Sequence, residues 1–367
     1  MQKILLFIAS LFYFNSLFAK DEIKSWQGIH ETPLSRLEQQ FADPPVEFAN
    51  HVIWGWEGKM DKKTICNDLD SIKKKGFRAI IFEAGYKLPF KYLSEEWFKA
   101  IRTGVLEAKK RGMKVWIIDE GKYPSGFAGG KFSQERPDLR MQALVIGDTI
   151  QIKRGEVMTN HKIAPEIISA VAVSTSGAPN RTVAINNGEI SFNAGLDDWK
   201  ILLVKSDFRT AVTRAVNNPN GGKDATNSLC DYLNPVAVLQ FIDWTHEQYK
   251  KYLGKELGTT VLGFRGDEPD YAHLPWTPSI VQTFKDTKGY DPTPYLASFF
   301  TTSPTIQEQR VKADYWDVWS SLFATHFFKL QADWCAANGV AHITHLNKEH
   351  EMPACVKAEG DYFRNLS

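Results

Sequence analysis

Met113-Lys-Val-Trp-Ile-Ile-Asp-Glu120 is a short apolar run closed by two acids, and its form occurs twice upstream. His51-Val-Ile-Trp-Gly-Trp-Glu57 and Phe77-Arg-Ala-Ile-Ile-Phe-Glu83 are runs of the same kind, each closed by one acid. Runs this short, rich in β-branched and aromatic residues, read as buried strands. Helical patterns separate them. Asp61 can cap a helix that carries Ile65, Leu69 and Ile72 on one face and stops at Gly76. Ser94 can cap a second, with Trp97, Ile101, Val105 and Ala108 behind it and Gly112 at its end. Strand–helix steps repeated in this way predict parallel strands joined by helical crossovers.

The pattern breaks after the third strand. Residues 141–225 hold no long helical pattern, but they hold β-type runs such as Ile167–Val173 and Lys200–Lys205. Turn signals separate these, among them Asn186-Asn-Gly188. A small antiparallel insertion, a sandwich, is expected there. The alternation resumes at Pro235, where Val238, Ile242, Thr245, Tyr249, Leu253 and Leu257 predict one long helix ending at Gly258. Val261-Leu-Gly-Phe264 is a fourth strand, ending near Asp267 and Glu268. A very long helix is predicted from about Gln307 to Ala337, and Gly339 stops it. Val340-Ala-His-Ile-Thr344 is a fifth strand, with Asn347 and Glu349 beyond its end.

The expected fold class is therefore α/β: a (β/α)8 TIM-type barrel, incomplete at the C-terminus, with a small β-rich insertion after strand 3. Five strands cannot close such a barrel. An open, doubly wound sheet is the alternative. The last residues, Asp361-Tyr-Phe-Arg-Asn-Leu-Ser367, read as a helix cut in mid-course and favour truncation. The expected division is a signal peptide at 1–19, a lead-in at 20–50, the first part of the barrel at 51–140, the β-rich insertion at 141–230 and the continued barrel at 231–367.

Composition narrows the function classes. A chain of 367 residues with 43% apolar content can bury a sizeable core. Its formal charge of +1 gives no reason to expect nucleic acid or an acidic membrane as partner. Lys3, the apolar run Ile4–Phe14 and the small-residue site around Ser16, Leu17 and Ala19 form a cleavable export signal too short to span a bilayer. No later stretch is apolar enough for a membrane span. The expected location is the periplasm or beyond the cell. None of the four cysteines forms a C-x-x-C pair, so a zinc site is not expected, and buried free thiols are.

In a β/α barrel the C-terminal strand ends converge on one face. Here those ends carry Glu57, Glu83, Asp119 with Glu120, Asp267 with Glu268, and Glu349. Acids that merely open solvated loops would give the same pattern, and that reading weighs more on Glu57 and Glu83 than on Glu268 and Glu349. Two carboxyl groups across a cleft suit glycoside hydrolysis: one donates a proton to the leaving oxygen, the other attacks the sugar or activates water. Tyr123-Pro-Ser-Gly-Phe-Ala-Gly-Gly130 makes a tight loop whose backbone could approach a ligand. The 11 Trp residues fit either a large core or a sugar cleft, and Trp276, in a loop, is the better stacking candidate. His342 and His345 fall on opposite faces of a strand, which weighs against a transition-metal centre. A calcium ion held by rim carboxylates stays open.

These residues resemble glycoside hydrolase family 106, the α-L-rhamnosidase-like enzymes. The similarity lies in Trp54-Gly-Trp56-x-Gly58, in Val115–Gly121 with the loop Tyr123–Gly130, and in Arg265-Gly-Asp-Glu-Pro269. It continues through Leu274-Pro-Trp276, Gly289–Tyr295, His345-Leu-Asn-Lys-Glu-His350 and Gly360–Arg364. The resemblance implies a catalytic (β/α)8 barrel with β-rich accessory domains. It also implies hydrolysis of a terminal α-linked sugar, with L-rhamnose first, by inversion and with calcium as a possible companion. Carried over, Glu268 is the general acid and Glu349 the base. Substrate binding is expected of Asp119, Glu120, Trp56, Tyr123, Asp267, Trp276 and His345. Two departures stand out. Family members are longer, and Arg265 and Gly266 stand where many relatives have an apolar or small polar residue and Thr, which leaves the sugar open. No cofactor is required by this chemistry. The alternative function is a catalytically incomplete carbohydrate-binding barrel fragment.

Overall fold

Five strands with their apolar faces toward helices form the central sheet. They are β1 (His51–Trp56), β2 (Ala79–Ala84), β3 (Lys114–Ile118), β4 (Val261–Asp267) and β5 (Ala341–His345). The computed structural model describes residues 33–43, 50–121, 123–211, 213–214, 223–224, 226–269, 271, 273–348 and 350–366. The signal peptide expected at 1–19 and most of the lead-in expected at 20–50 lie outside these residues. The chain divides into two units, Met1–Ala49 and Asn50–Ser367. In the first, the described residues form the helix Leu34–Ala42.

In the second unit the sheet order is β1-β2-β3-β4-β5, and every neighbouring pair is parallel. A doubly wound sheet needs a point where the order reverses. None occurs among the described strands, so these five are singly wound. β1 and β5 each have one strand neighbour among the described residues, and the sheet is open. The helices Lys62–Lys74 and Glu95–Lys110 make the first two crossovers. Asp61 and Ser94 cap them, each accepting the backbone N–H three residues on.

Alternation gives the sheet two different faces. Trp54, Trp56, Phe82, Val115 and Phe264 pack against the helices with Trp97 and Tyr249. The opposite face runs in register through Ile53, Ile81, Trp116 and Gly263, and one layer higher through Ile118, Arg265 and Ile343.

Between β3 and β4 the chain builds antiparallel sheet. The strands Gln142–Ile152, Trp199–Phe208 and Ile167–Ser174 are neighbours, with Pro275–Trp276 and Arg181–Thr182 on the two edges. A three-stranded sheet of Val157–Lys162, Glu189–Asn193 and Ile185–Asn186 lies against one face, where Ile152, Ala172, Phe192, Trp199 and Ile201 form a core. The other face of the larger sheet puts Leu144, Val171, Leu202 and Val204 into the core shared with Tyr232, Phe241 and Tyr315.

Two helices differ from the sequence reading. The helix expected from Pro235 to Leu257 is two, Pro235–Trp244 and His246–Leu253, broken at Thr245. The helix expected from Gln307 to Ala337 begins at Ile306, where Thr305 and Glu308 form a capping box, and it contains a wide π-type turn at Phe323–Phe328. Among the described residues no helix is long and apolar enough to cross a membrane.

Candidate active site

Asp267, Glu268 and His345 meet where β4 and β5 end. Asp267 faces His345 across the ladder, so both side chains leave the same face of the sheet. Glu268 follows with φ at 38°, in the left-handed region that a residue with a Cβ rarely adopts. Its N–H donates to the His345 carbonyl at 2.8 Å, which holds the unusual conformation in place. Such strain costs about 1–3 kcal/mol and concentrates at functional positions. The turn brings Glu268 Oε1 to 3.2 Å from His345 Nδ1, while Asp267 Oδ1 lies 3.5 Å from the same nitrogen. Glu268 and His345 keep 28% and 41% of their side-chain surface exposed, so a ligand can reach them.

The loop after β3 is stitched to the end of β4. Ser125 Oγ donates to Asp119 Oδ1 at 2.7 Å and accepts the Asp267 N–H at 2.6 Å. Ser125 N–H donates to the Asp267 carbonyl, and Asp119 N–H to that of Arg265. Asp119 is fully buried, and its Oδ2 has no hydrogen-bond partner among the described residues. Burial first, then the charges of Glu120 and Asp267, push its carboxyl well above the usual carboxylate range, against the Ser125 hydrogen bond.

Glu120 has a different task from the one expected. Its carboxylate accepts the backbone N–H groups of Gly121, Phe127, Ala128 and Gly129, at 2.5 to 3.0 Å. Burial raises its pKa to about 7 while these four bonds favour the ionised form. It therefore ties the loop into shape, with its oxygens turned to the protein. Tyr232 adds a bond from its hydroxyl to the Ser125 carbonyl. Gly126, at φ 95°, packs so close that a Cβ would lie 2.5 Å from the Tyr232 ring.

Both tryptophans expected to stack on sugar are core residues. Trp56 is completely buried between Trp54, Phe82 and Trp97. Trp276 is paired with Gln142 in the antiparallel sheet and is also buried. Neither offers a ring face to a ligand, because burial depends on packing that a local pattern does not report. Tyr123, joined to Pro124 by a cis peptide bond, is half-buried. Glu57 is exposed and Glu83 half-buried at the ends of β1 and β2. Glu349, expected as the base, lies outside the described residues. Sequence reasoning gave no role to Ser125, or to Glu359. The latter is fully buried and accepts the Asn347 N–H at 2.5 Å, anchoring the loop beyond β5. A lone acid in a short helix looks like a solvated one, so the sequence carries no signal for it.

Asp267, Glu268 and His345 each bring a potential ligand atom within 4.8 Å of the other two. Two carboxylates and an imidazole are a mixed donor set. Calcium takes six to eight oxygens, so this trio does not by itself fit the calcium expected at the rim. What the arrangement can do unaided is proton chemistry: an exposed carboxyl in a fixed pose, a neighbouring carboxylate and an imidazole that can give or take a proton.

Comparison with known proteins follows this geometry. The family model for glycoside hydrolase family 106, described as alpha-L-rhamnosidase, matches residues 164–360. A protein of Formosa agariphila, provisionally named a β-glucuronidase, is 23% identical over 363 residues, which is 84% of this chain and 30% of that protein. The structure of a rhamnosidase from Novosphingobium sp. PP1Y superposes with a TM-score of 0.65 at 14% identity, covering 91% of this chain and 48% of that one. That likeness is one of fold. The chain spans under half the length of the solved structure and under a third of the curated relative.

Proposed function

Because the chain belongs to glycoside hydrolase family 106, the alpha-L-rhamnosidase family, we propose that it removes a terminal α-linked sugar, L-rhamnose first, from an oligosaccharide or polysaccharide outside the cytoplasm. The observation that carries this reading is the meeting of Asp267, Glu268 and His345 at the ends of β4 and β5, with Glu268 held at positive φ. Glu268 is the proposed general acid. Its carboxyl gives a proton to the glycosidic oxygen as the bond to the anomeric carbon breaks. His345 Nδ1, 3.2 Å from Glu268 Oε1, sets which way that oxygen faces. Glu349 is the proposed base. It takes a proton from a water that forms the new bond on the opposite face of the ring. This inverting route wants roughly 6.5–9.5 Å between the two carboxyl groups. Asp267, His345 and Tyr123 are the proposed substrate contacts, with Asp119 holding the rim beneath them.

The unreversed strand order supports reading β1–β5 as the first five strands of a (β/α)8 barrel. We divide the chain accordingly into barrel (51–140), β-rich insertion (141–230) and continued barrel (231–367), behind an export signal at 1–19. A second reading is a carbohydrate-binding protein of this fold without turnover. The Formosa relative's name adds a glucuronide as an alternative substrate.

Glu268→Gln separates these readings. On a rhamnosyl disaccharide, whose leaving group needs a proton, turnover should fall by about a hundredfold or more while binding stays. Turnover that survives removes Glu268 as the acid, and a parent chain that binds without turnover favours the second reading. Calcium at the rim is a separate proposal, and no step is assigned to it. Exhaustive treatment with a calcium chelator should lower activity, and calcium should restore it. Unchanged activity would remove the ion from the scheme.

A further inference from the structure

Arg265 lies two residues before Asp267 on β4, on the same face of the sheet. Its register neighbours are Ile118 on β3 and Ile343 on β5, and neither side chain can accept a hydrogen bond. Only 18% of the Arg265 side chain is exposed. Its charged contact among the described residues is one ion pair, Nη1 to Asp267 Oδ1 at 3.6 Å, which is beyond hydrogen-bond length. A guanidinium carries five N–H donors in a planar fork. Here the fork is mostly withdrawn from water, and no described side chain accepts from it. Leaving such donors unmet is costly, and an anion with two coplanar oxygens removes that cost.

Of the nearby carboxyl groups, Asp267 pairs with Arg265 only at 3.6 Å, and Asp119 interacts with its charge without a hydrogen bond to it. The Asp267 backbone is fixed by Ser125, and its Oδ1 is shared with His345 Nδ1 at 3.5 Å. Asp119 is tied down by the Ser125 hydroxyl. Ile343 beside Arg265 is 42% exposed. Among the described residues no carboxylate completes the fork.

We propose that Arg265 reads an anionic group on the saccharide, a uronic acid carboxylate or a sulfate ester, beside the Asp267–Glu268–His345 cluster. The proposal rests on the glycosidase reading of that cluster and names its substrate class. A neutral sugar leaves the fork unmatched and binds more weakly.

Titration calorimetry at low salt with glucuronate, glucose 6-sulfate and glucose tests it. At least one of the anions should bind about tenfold or more tightly than glucose, as charge-assisted hydrogen bonds do. Arg265→Gln should abolish that preference and leave glucose binding unchanged, whereas Arg265→Lys should keep part of it, since a point charge lacks the fork. Thermal unfolding establishes that both variants fold. The tighter of the two anions identifies the group read. Equal binding of all three sugars, binding of none, or an equal loss for all three in Arg265→Gln overturns the proposal. Turnover of a neutral rhamnosyl disaccharide that depends on Glu268 would leave the glycosidase reading standing after such a failure. An anion preference without any turnover would overturn the glycosidase reading instead.

Discussion

Ser125 joins two acids from different strand ends, and its side chain is where the rim is most easily loosened. Its hydroxyl donates to Asp119 and accepts from the Asp267 backbone, so Ser125→Ala removes both bonds at once. Asp119 would then be buried with neither carboxyl oxygen bonded among the described residues. An unmet buried polar group costs about 1–3 kcal/mol. We expect Ser125→Ala to lower the unfolding midpoint in calorimetry. It should also lower kcat more than it raises KM, because the end of β4 positions Glu268. An unchanged midpoint would show that the link contributes nothing. The acids at the strand ends were legible in the sequence, because an apolar run that stops at a carboxylate is a local signal. Ser125 was not, since its role requires the loop to turn back onto a strand far along the chain. Trp56 and Trp276 misled for the converse reason. An aromatic beside a rim acid looks available, but whether its ring is covered depends on Trp97 for Trp56 and on a distant core for Trp276, which the local pattern does not contain.

At the scale of elements, the expected end of β4 near Asp267 lies three residues past its apolar run, and the strand reaches it. The apolar run stops at Phe264, but the strand continues through Arg265 and Gly266 to Asp267, because β5 pairs with it residue by residue. That extension sets Asp267 opposite His345 and makes the site. Gly263 marks how close the strands' surroundings come: a Cβ there would lie 2.1 Å from the Ala341 carbonyl oxygen and 2.5 Å from the Trp116 ring. The helix breaks were hidden. Neither Gly nor Pro interrupts the pattern at Thr245, yet its hydroxyl bonds the Phe241 carbonyl at 2.7 Å and His246 Nδ1 at 2.9 Å, which stabilises a non-helical turn. At Phe323–Phe328 the helix widens where His326 Nδ1 meets the Leu233 carbonyl at 2.6 Å. Local periodicity reports which faces are apolar, and these departures go with polar contacts that it does not register, local at Thr245 and across the fold at His326.

Across the whole molecule, buried groups of opposite type set the response of stability to pH. Burial raises the carboxyls of Glu120 and Asp231 to about 7 and that of Asp119 above its usual range. It lowers His246 to about 3 and His342 to about 4. Between the ordinary carboxylate values and about 7, the folded chain keeps protons that the unfolded chain releases. Stability from the acids therefore falls as pH rises through that window. The histidines act in reverse. Below their ordinary 6.5 the unfolded chain binds protons that the fold refuses, so stability falls as pH drops toward 4 and then 3. Glu107, held down to about 2 by Lys110 and Arg111, adds to the loss on the acid side. The opposing trends overlap between about pH 4.5 and 6.5, where we expect a broad maximum. Asp231 isolates one arm of it. Its carboxyl is buried and bonded by Thr277 and Tyr271 hydroxyls and the Leu233 N–H. Asp231→Asn cannot ionise, so its urea midpoint relative to the parent should rise between pH 4 and 7 and level off above. A difference that stays constant across that range would mean that Asp231 is ionised in the fold, with its three donors outweighing the burial that raises its pKa.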